Sequence, residues 1–279
     1  MGLSVLRNPA RSRERSKAVN LVAIIGGTGL DNYSPNPTPE YRIVQTRYGE
    51  AQYVELESHS GEKVLFLPRH GPDHRHVPHR INYRANMMAL AEMGVTAVYA
   101  TNAVGSLRPE LQPGDMVVLD DFIDMTRRWP STIFEDEEVA PEHVHSDFSV
   151  PYCPVLRDCL IHAARARGCP TRPQGTYLCT DGPRYETPAE VKMFGKLGAD
   201  VVGMTGVPEV VFARELGLCY AGLAIVTNLG AGLKPTPVAH SNVKKVMVAR
   251  MPLIMAVLMD AADSTPTDRS CQCGVGKTK

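Results

Sequence analysis

The chain has 279 residues, 43% of them hydrophobic, which is enough to bury one large core or two modest ones. Thirty basic residues balance thirty acidic ones, so the electrostatic footprint of a nucleic-acid binder is missing, and no apolar stretch reaches the length of a membrane span. Seven cysteines scattered without a Cys/His metal spacing read as reduced thiols in a cytoplasmic protein, with no metal and no disulfide framework.

The first residues carry Arg7, Arg11, Arg13, Arg15 and Lys17 against Glu14. Residues 1–20 are read as a disordered basic arm in preference to a transit peptide, and there is no secretory h-region. Residues 21–262 form one folded unit without linker or repeat. Residues 263–279 turn polar again and are read as a disordered tail, with the CxC of Cys271 and Cys273 inert.

Inside the unit, one device repeats. VAIIGGTG and VLFLPRHG are apolar runs that stop on glycine and polar residues, the mark of short buried strands bounded by turns. INYRANMMALAEMG follows, with Ile81, Ala85, Met88 and Ala91 on one helical face and a stop at Gly94. AVYATNAVG is a third strand. PVLRDCLIHAARARG is a helix that starts on Pro154 and ends at Gly168, and TYLCTDGPR is a fourth strand. In TPAEVKMFGKLG, Thr187 is an N-cap, Pro188 sits at N1, and Glu190 completes a capping box. DVVGMTGVP is a strand, PEVVFARELG a helix from Pro208 to Gly217, and LAIVTNLGAG a strand. The last helix spans Ser241 to Ala262, with Ser241 as N-cap and a kink or break expected at Pro252. Alternating strands and helices predict an α/β fold, a single domain with a central mixed sheet flanked by helices.

Open α/β sheets bind ligands beyond the carboxyl ends of their strands, so the residues after each run belong together. Gly27 and Gly29 let backbone N–H groups approach a ligand, Thr28 adds a hydroxyl, and Arg69 offers a fork suited to phosphate oxygens, with His70 and Thr205 as further donors. A dinucleotide site is excluded by register, because Asn32 stands where the third glycine of G-x-G-x-x-G belongs. The second group suits a flat heterocycle. Tyr185 can stack on it, Glu186 accepts from N–H donors, and Asn228 both donates and accepts, which matches the edge of a 6-oxopurine. Adenine would turn an unprotonated N1 toward the carboxylate. Taken singly, Glu186 reads first as a solvated acid near a helix start and Asn228 as a turn residue; it is their convergence at one sheet edge that points to a ligand.

AIIGGTGLD, FLPRHG, INYRANMMAL, ATNAVGSLRPELQPGD, TDGPRYETPAE and GADVVGMTGVPEVVFARELGLCYA together resemble the trimeric purine nucleoside phosphorylase/methylthioadenosine phosphorylase family, from about Val22 to Ala262. The resemblance implies a homotrimer acting on phosphate and a purine nucleoside. It puts Thr28, Arg69, His70, Asn102, Ala103 and Thr205 at phosphate and Met204 under the ribose. Tyr185, Glu186 and Asn228 fall in the base pocket. His145 falls where a neighbouring subunit reaches toward the ribose, and His240 near the 5′-hydroxyl. The wording is nearest the methylthioadenosine branch, yet that branch carries serine at the place of Glu186, aspartate at Asn228 and a second aspartate at Gly230. At these positions the chain is similar to the inosine/guanosine branch. The implied reaction is phosphorolysis, with Asn228 stabilising the leaving purine, Arg69 and His70 positioning phosphate, and no cofactor beyond that co-substrate. A hydrolytic nucleosidase, a nucleotide sensor and a 5′-methylthionucleoside phosphorylase are the alternatives.

Overall fold

The computed structural model describes residues 20–30, 40–136, 145–235 and 237–274; residues 1–19 of the basic arm therefore lie outside the described residues. Eleven strands form one mixed sheet. They are β1 (Leu21–Gly26), β2 (Arg42–Thr46), β3 (Gly49–Glu57), β4 (Lys63–Pro68), β5 (Val95–Ser106), β6 (Met116–Val118), β7 (Asp121–Asp124), β8 (Thr171–Arg172), β9 (Thr176–Cys179), β10 (Val201–Gly203) and β11 (Cys219–Leu229). The α-helices among the described residues are α1 (Tyr83–Glu92), α2 (Pro154–Ala166), α3 (Pro188–Lys196), α4 (Gly206–Glu215) and α5 (His240–Asp263).

The sheet forks at its longest strand. One arm runs β2-β3-β4-β1-β5; from β5 the sheet continues to β10, β9 and β7 on one path and to β11, β6 and β8 on the other. Alternation along β1 shows how it is covered: Ala23 and Ile25 join a core with Met87 and Leu90 of α1 and Val207 and Phe212 of α4. Val22 and Ile24 join the opposite core with Leu156 and Leu160 of α2 and Ile254 and Leu258 of α5. Both faces are buried, so these strands read as continuous apolar runs.

Local chemistry sets several helix starts. Thr187 accepts from the Glu190 amide while the Glu190 carboxylate accepts from the Thr187 amide, the expected capping box. Asn82 caps α1 by accepting from Ala85 N at 3.1 Å, and Pro154 opens α2.

Three expectations need correction. Helix α4 begins at Gly206, two residues before Pro208. Helix α5 begins at His240 with Ala239 at its N-cap, so Ser241 lies inside it, and it continues through Pro252 as one element. Proline at 252 frees the carbonyl of Val248, one turn back, and both residues are exposed where water can take that bond. The folded unit also does not stop at 262. Thr265 is buried with its hydroxyl 2.7 Å from that of Tyr99, Arg269 donates to Asn20 Oδ1 at 2.7 Å, and Cys273 is buried.

Candidate active site

Strand ends converge as the α/β topology requires. Strands β1 and β4 are parallel with Gly26 paired to Pro68, so Gly27-Thr28 and Arg69-His70 leave the sheet side by side. Strand β11 runs parallel to β5, but its register shifts between Val226 and Asn228, leaving Thr227 as the extra residue of a bulge. A bulge re-aims the side chains that follow it, and Asn228 emerges opposite Gly105. Side chain and glycine are matched, since a Cβ at 105 would lie 3.3 Å from Asn228 Nδ2.

A cavity of about 340 Å³ lies over these ends. It brings together Ala103, Tyr185, Glu186, Met204, Thr205, Asn228 and His240, with Val202, Val238 and Val243 as apolar wall. A second hollow, about 350 Å³, lies alongside and holds Thr28, Gly29 and Lys244; His74 and His240 line both. His145 is exposed and does not line the first cavity of its own chain.

At one end of the first cavity, Glu186 Oε1 accepts from the Thr180 hydroxyl at 3.0 Å. Burial pushes the Glu186 carboxyl above the usual range, partly offset by that bond. Asn228 Nδ2 donates to Leu229 O at 3.0 Å, and its Oδ1 lies 3.0 Å from the Thr227 hydroxyl, which also lies 3.1 Å from Val104 O. One hydroxyl proton serves two acceptors there. Gly230 has no space for a side chain, because a Cβ would come 2.9 Å from Val191 Cγ1 and 3.0 Å from Ser106 O. Tyr185 is half-buried, its hydroxyl 3.4 Å from His240 Nδ1.

The other end is arranged differently from the open fork expected at Arg69. Its guanidinium is buried and pairs with the buried Glu209 of α4, Nε to Oε1 at 2.5 Å and Nη2 to Oε2 at 2.8 Å. Tyr220 donates to the same Oε2 at 2.8 Å. Burial alone would lower the arginine's pKa, but the Glu209 charge outweighs it and drives it further up. What remains is Nη1, which donates to Thr101 O at 2.6 Å and faces Gly27, where a Cβ would lie 2.5 Å from it. His70 is buried; its Nδ1 lies 2.7 Å from the His76 carbonyl, which can only accept, so Nδ1 carries the proton. Its ring stacks on His74 at 4.1 Å. Asn102 Nδ2 donates to the Thr205 hydroxyl at 3.2 Å, while its buried Oδ1 has no hydrogen-bond partner among the described residues. The amides of Thr205 and Gly206 both donate to the Tyr177 hydroxyl, at 3.1 and 3.2 Å, so the first turn of α4 is covered by a phenol.

Sequence reasoning missed Glu209, Thr180 and His74. Glu209 left one signal. It is the first of the two acids in PEVVFARELG, the one flanked by Pro208, Val210 and Val211, and a carboxylate in a helix buried that thoroughly needs a cation.

These features define a two-compartment cleft at the strand ends of a doubly covered sheet. The phosphorylase superfamily model matches residues 22–261, and the chain belongs to that superfamily. It is 46% identical over 255 residues to the 6-oxopurine nucleoside phosphorylase of Pyrococcus furiosus, covering 90% of this chain and 96% of that one. A probable S-methyl-5′-thioinosine phosphorylase of Methanothermobacter thermautotrophicus is 41% identical, covering 91% of this chain and 87% of the relative. Among solved structures, methylthioadenosine phosphorylase from Schistosoma mansoni in complex with adenine superposes with a TM-score of 0.81 at 33% identity, over 87% of this chain and 91% of the other.

Proposed function

We propose that the chain is a purine nucleoside phosphorylase converting inosine or guanosine and phosphate, reversibly, to free base and ribose 1-phosphate. The carrying observation is the pairing of Glu186 and Asn228 in one cavity beside a Gly230 that cannot hold the adenine-reading carboxylate of the methylthioadenosine branch. Glu186 accepts from N1–H of a 6-oxopurine, and from the 2-amino group of guanine, with Thr180 holding the carboxylate in place. Asn228 turns its amide N–H toward O6, and its Oδ1 accepts from N7 once that nitrogen takes a proton from solvent as the base leaves. As the glycosidic bond breaks, its electrons go to the purine, and the Asn228 donor stabilises that charge where it develops. Phosphate attacks carbon 1′ and offsets the cationic character of the ribose.

The phosphate is assigned to Thr28, Asn102, the amide of Ala103, Thr205 and His70. Arg69 reaches it only by the Nη1 edge beside Gly27, and otherwise holds the loop in place through Glu209. Met204 lies under the ribose. The resemblance supports a homotrimer, in which His145 of one copy would complete the ribose end of its neighbour's cavity. No described helix is long and apolar enough to cross a membrane, and a cytoplasmic location is part of this proposal.

A second reading, methylthioinosine as substrate, is favoured by Val238 and Val243 on the cavity wall near His240. The test is a panel of inosine, guanosine, adenosine, methylthioinosine and methylthioadenosine with and without phosphate. Inosine and guanosine are expected to exceed adenosine by about 10⁴-fold, the scale on which a site with buried polar partners rejects a mismatched analogue. Activity on adenosine equal to that on inosine would remove the roles given to Glu186 and Asn228. His240→Val is expected to raise methylthioinosine relative to inosine by about tenfold, one pocket contact's worth. An unchanged ratio makes His240 a bystander.

A further inference from the structure

Away from the cavity, Cys153, Cys219, Cys271 and Cys273 bring their four sulfurs within 4.8 Å of one another. Cys153 is the N-cap of α2, Cys219 opens β11, and the CxC arrives from the chain after α5. Three of the four are buried, all are free thiols, and Cys219 and Cys271 Sγ are 3.4 Å apart. We propose that these four cysteines form a tetrahedral four-thiolate site for a thiophilic metal ion, zinc(II) by size and geometry. Zinc–sulfur bonds of about 2.3 Å put the vertices of a tetrahedron about 3.8 Å apart, inside the spacing the thiols already have. No carboxylate or imidazole belongs to the cluster, so the donor set is soft throughout, which selects zinc over magnesium or calcium.

The helix whose N-cap is Cys153 favours a bound thiolate there. Cys153 stands at the positive end of a 13-residue helix, and a helix N-terminus stabilises a sulfur anion. Loading transfers the thiol protons to solvent and changes no oxidation state. The site would clasp the segment after α5 to the start of β11. Asn228 is nine residues along that strand, about 30 Å away at the usual rise, so the ion's part is structural.

The test uses the full chain purified under reducing conditions from zinc-supplemented growth. Metal analysis should find about one zinc per chain. Cobalt(II) exchanged into the site should give the intense visible bands of tetrahedral thiolate coordination. Cys271→Ser with Cys273→Ser should lose the zinc and the cobalt spectrum while keeping kcat/KM for inosine. If the double variant does not fold, the cobalt spectrum of the wild type and of Cys271→Ser alone decides. Absence of zinc and of the cobalt bands from reduced wild-type protein overturns the proposal. So does mass spectrometry of unreduced protein showing these cysteines joined as disulfides. Neither readout depends on the substrate assignment.

Discussion

Glu186 and Asn228 are half-buried, neutral or singly charged, and held by light contacts to Thr180, Thr227 and Leu229. Arg69 and Glu209, at the other end of the same cleft, are withdrawn from water and use most of their hydrogen-bonding capacity on each other, Thr101 and Tyr220. Side chains that read a ligand keep donors and acceptors they can redirect. Side chains that shape a site have already committed theirs. The contrast separates the residues proposed to act on the base from the Arg69–Glu209 pair at the other end of the cleft.

The largest effect that could break this contrast is Arg69→Ala. It leaves Glu209 as an unpaired buried charge, so a stability loss of about 3–5 kcal/mol is expected in urea unfolding, with Glu209→Gln restoring part of it in the double variant. Full stability with a raised KM for phosphate alone would instead make Arg69 a direct ligand. Asn228→Asp is expected to do the reverse. Stability should hold, while kcat for inosine falls about 10²–10³-fold, the usual cost of one donor at a developing oxyanion. Gly230→Ala drives a methyl group into Val191 and Ser106, and about 1–3 kcal/mol of destabilisation is expected, relieved by Val191→Ala.

The smallest effect is a pH dependence. The Glu186 carboxyl is raised by burial, so the folded state holds its proton where the unfolded chain has released it. Stability therefore falls as pH rises from the ordinary carboxylate value to the raised one, then levels off. Glu186→Gln should remove that slope. If the ionised form accepts from N1–H, as proposed, the acid limb of kcat/KM for guanosine should lie above the ordinary carboxylate range in the wild type and vanish in the variant. Superimposable profiles for wild type and variant would take Glu186 out of base recognition.

Much of this was legible where the cause is local. The capping box of α3 is carried by four consecutive residues, and the strands that lead to Gly27, Arg69 and Asn228 by runs of apolar side chains. The β2–β3 hairpin was not, since Arg42–Thr46 is exposed along most of its length and shows no apolar alternation. Glu209 was illegible for another reason: its partner lies 140 residues earlier in the chain. The thiol cluster escaped likewise, because Cys153 and Cys219 approach the CxC only through packing. Pro252 read as a kink or break because the exposure of Val248 is a property of the folded helix.

The crowding at Gly230 bears on how such a site can change over generations. A lineage that exchanged oxo for amino recognition by gaining an acid at this position would first need a smaller residue at Val191, since the acid arriving first would meet a blocked backbone position. The order of steps is then constrained even if the two end states are equally fit. On this reading, descendants of this chain would reach the adenine-reading form through a permissive change in a helix that contributes no residue to the cavity.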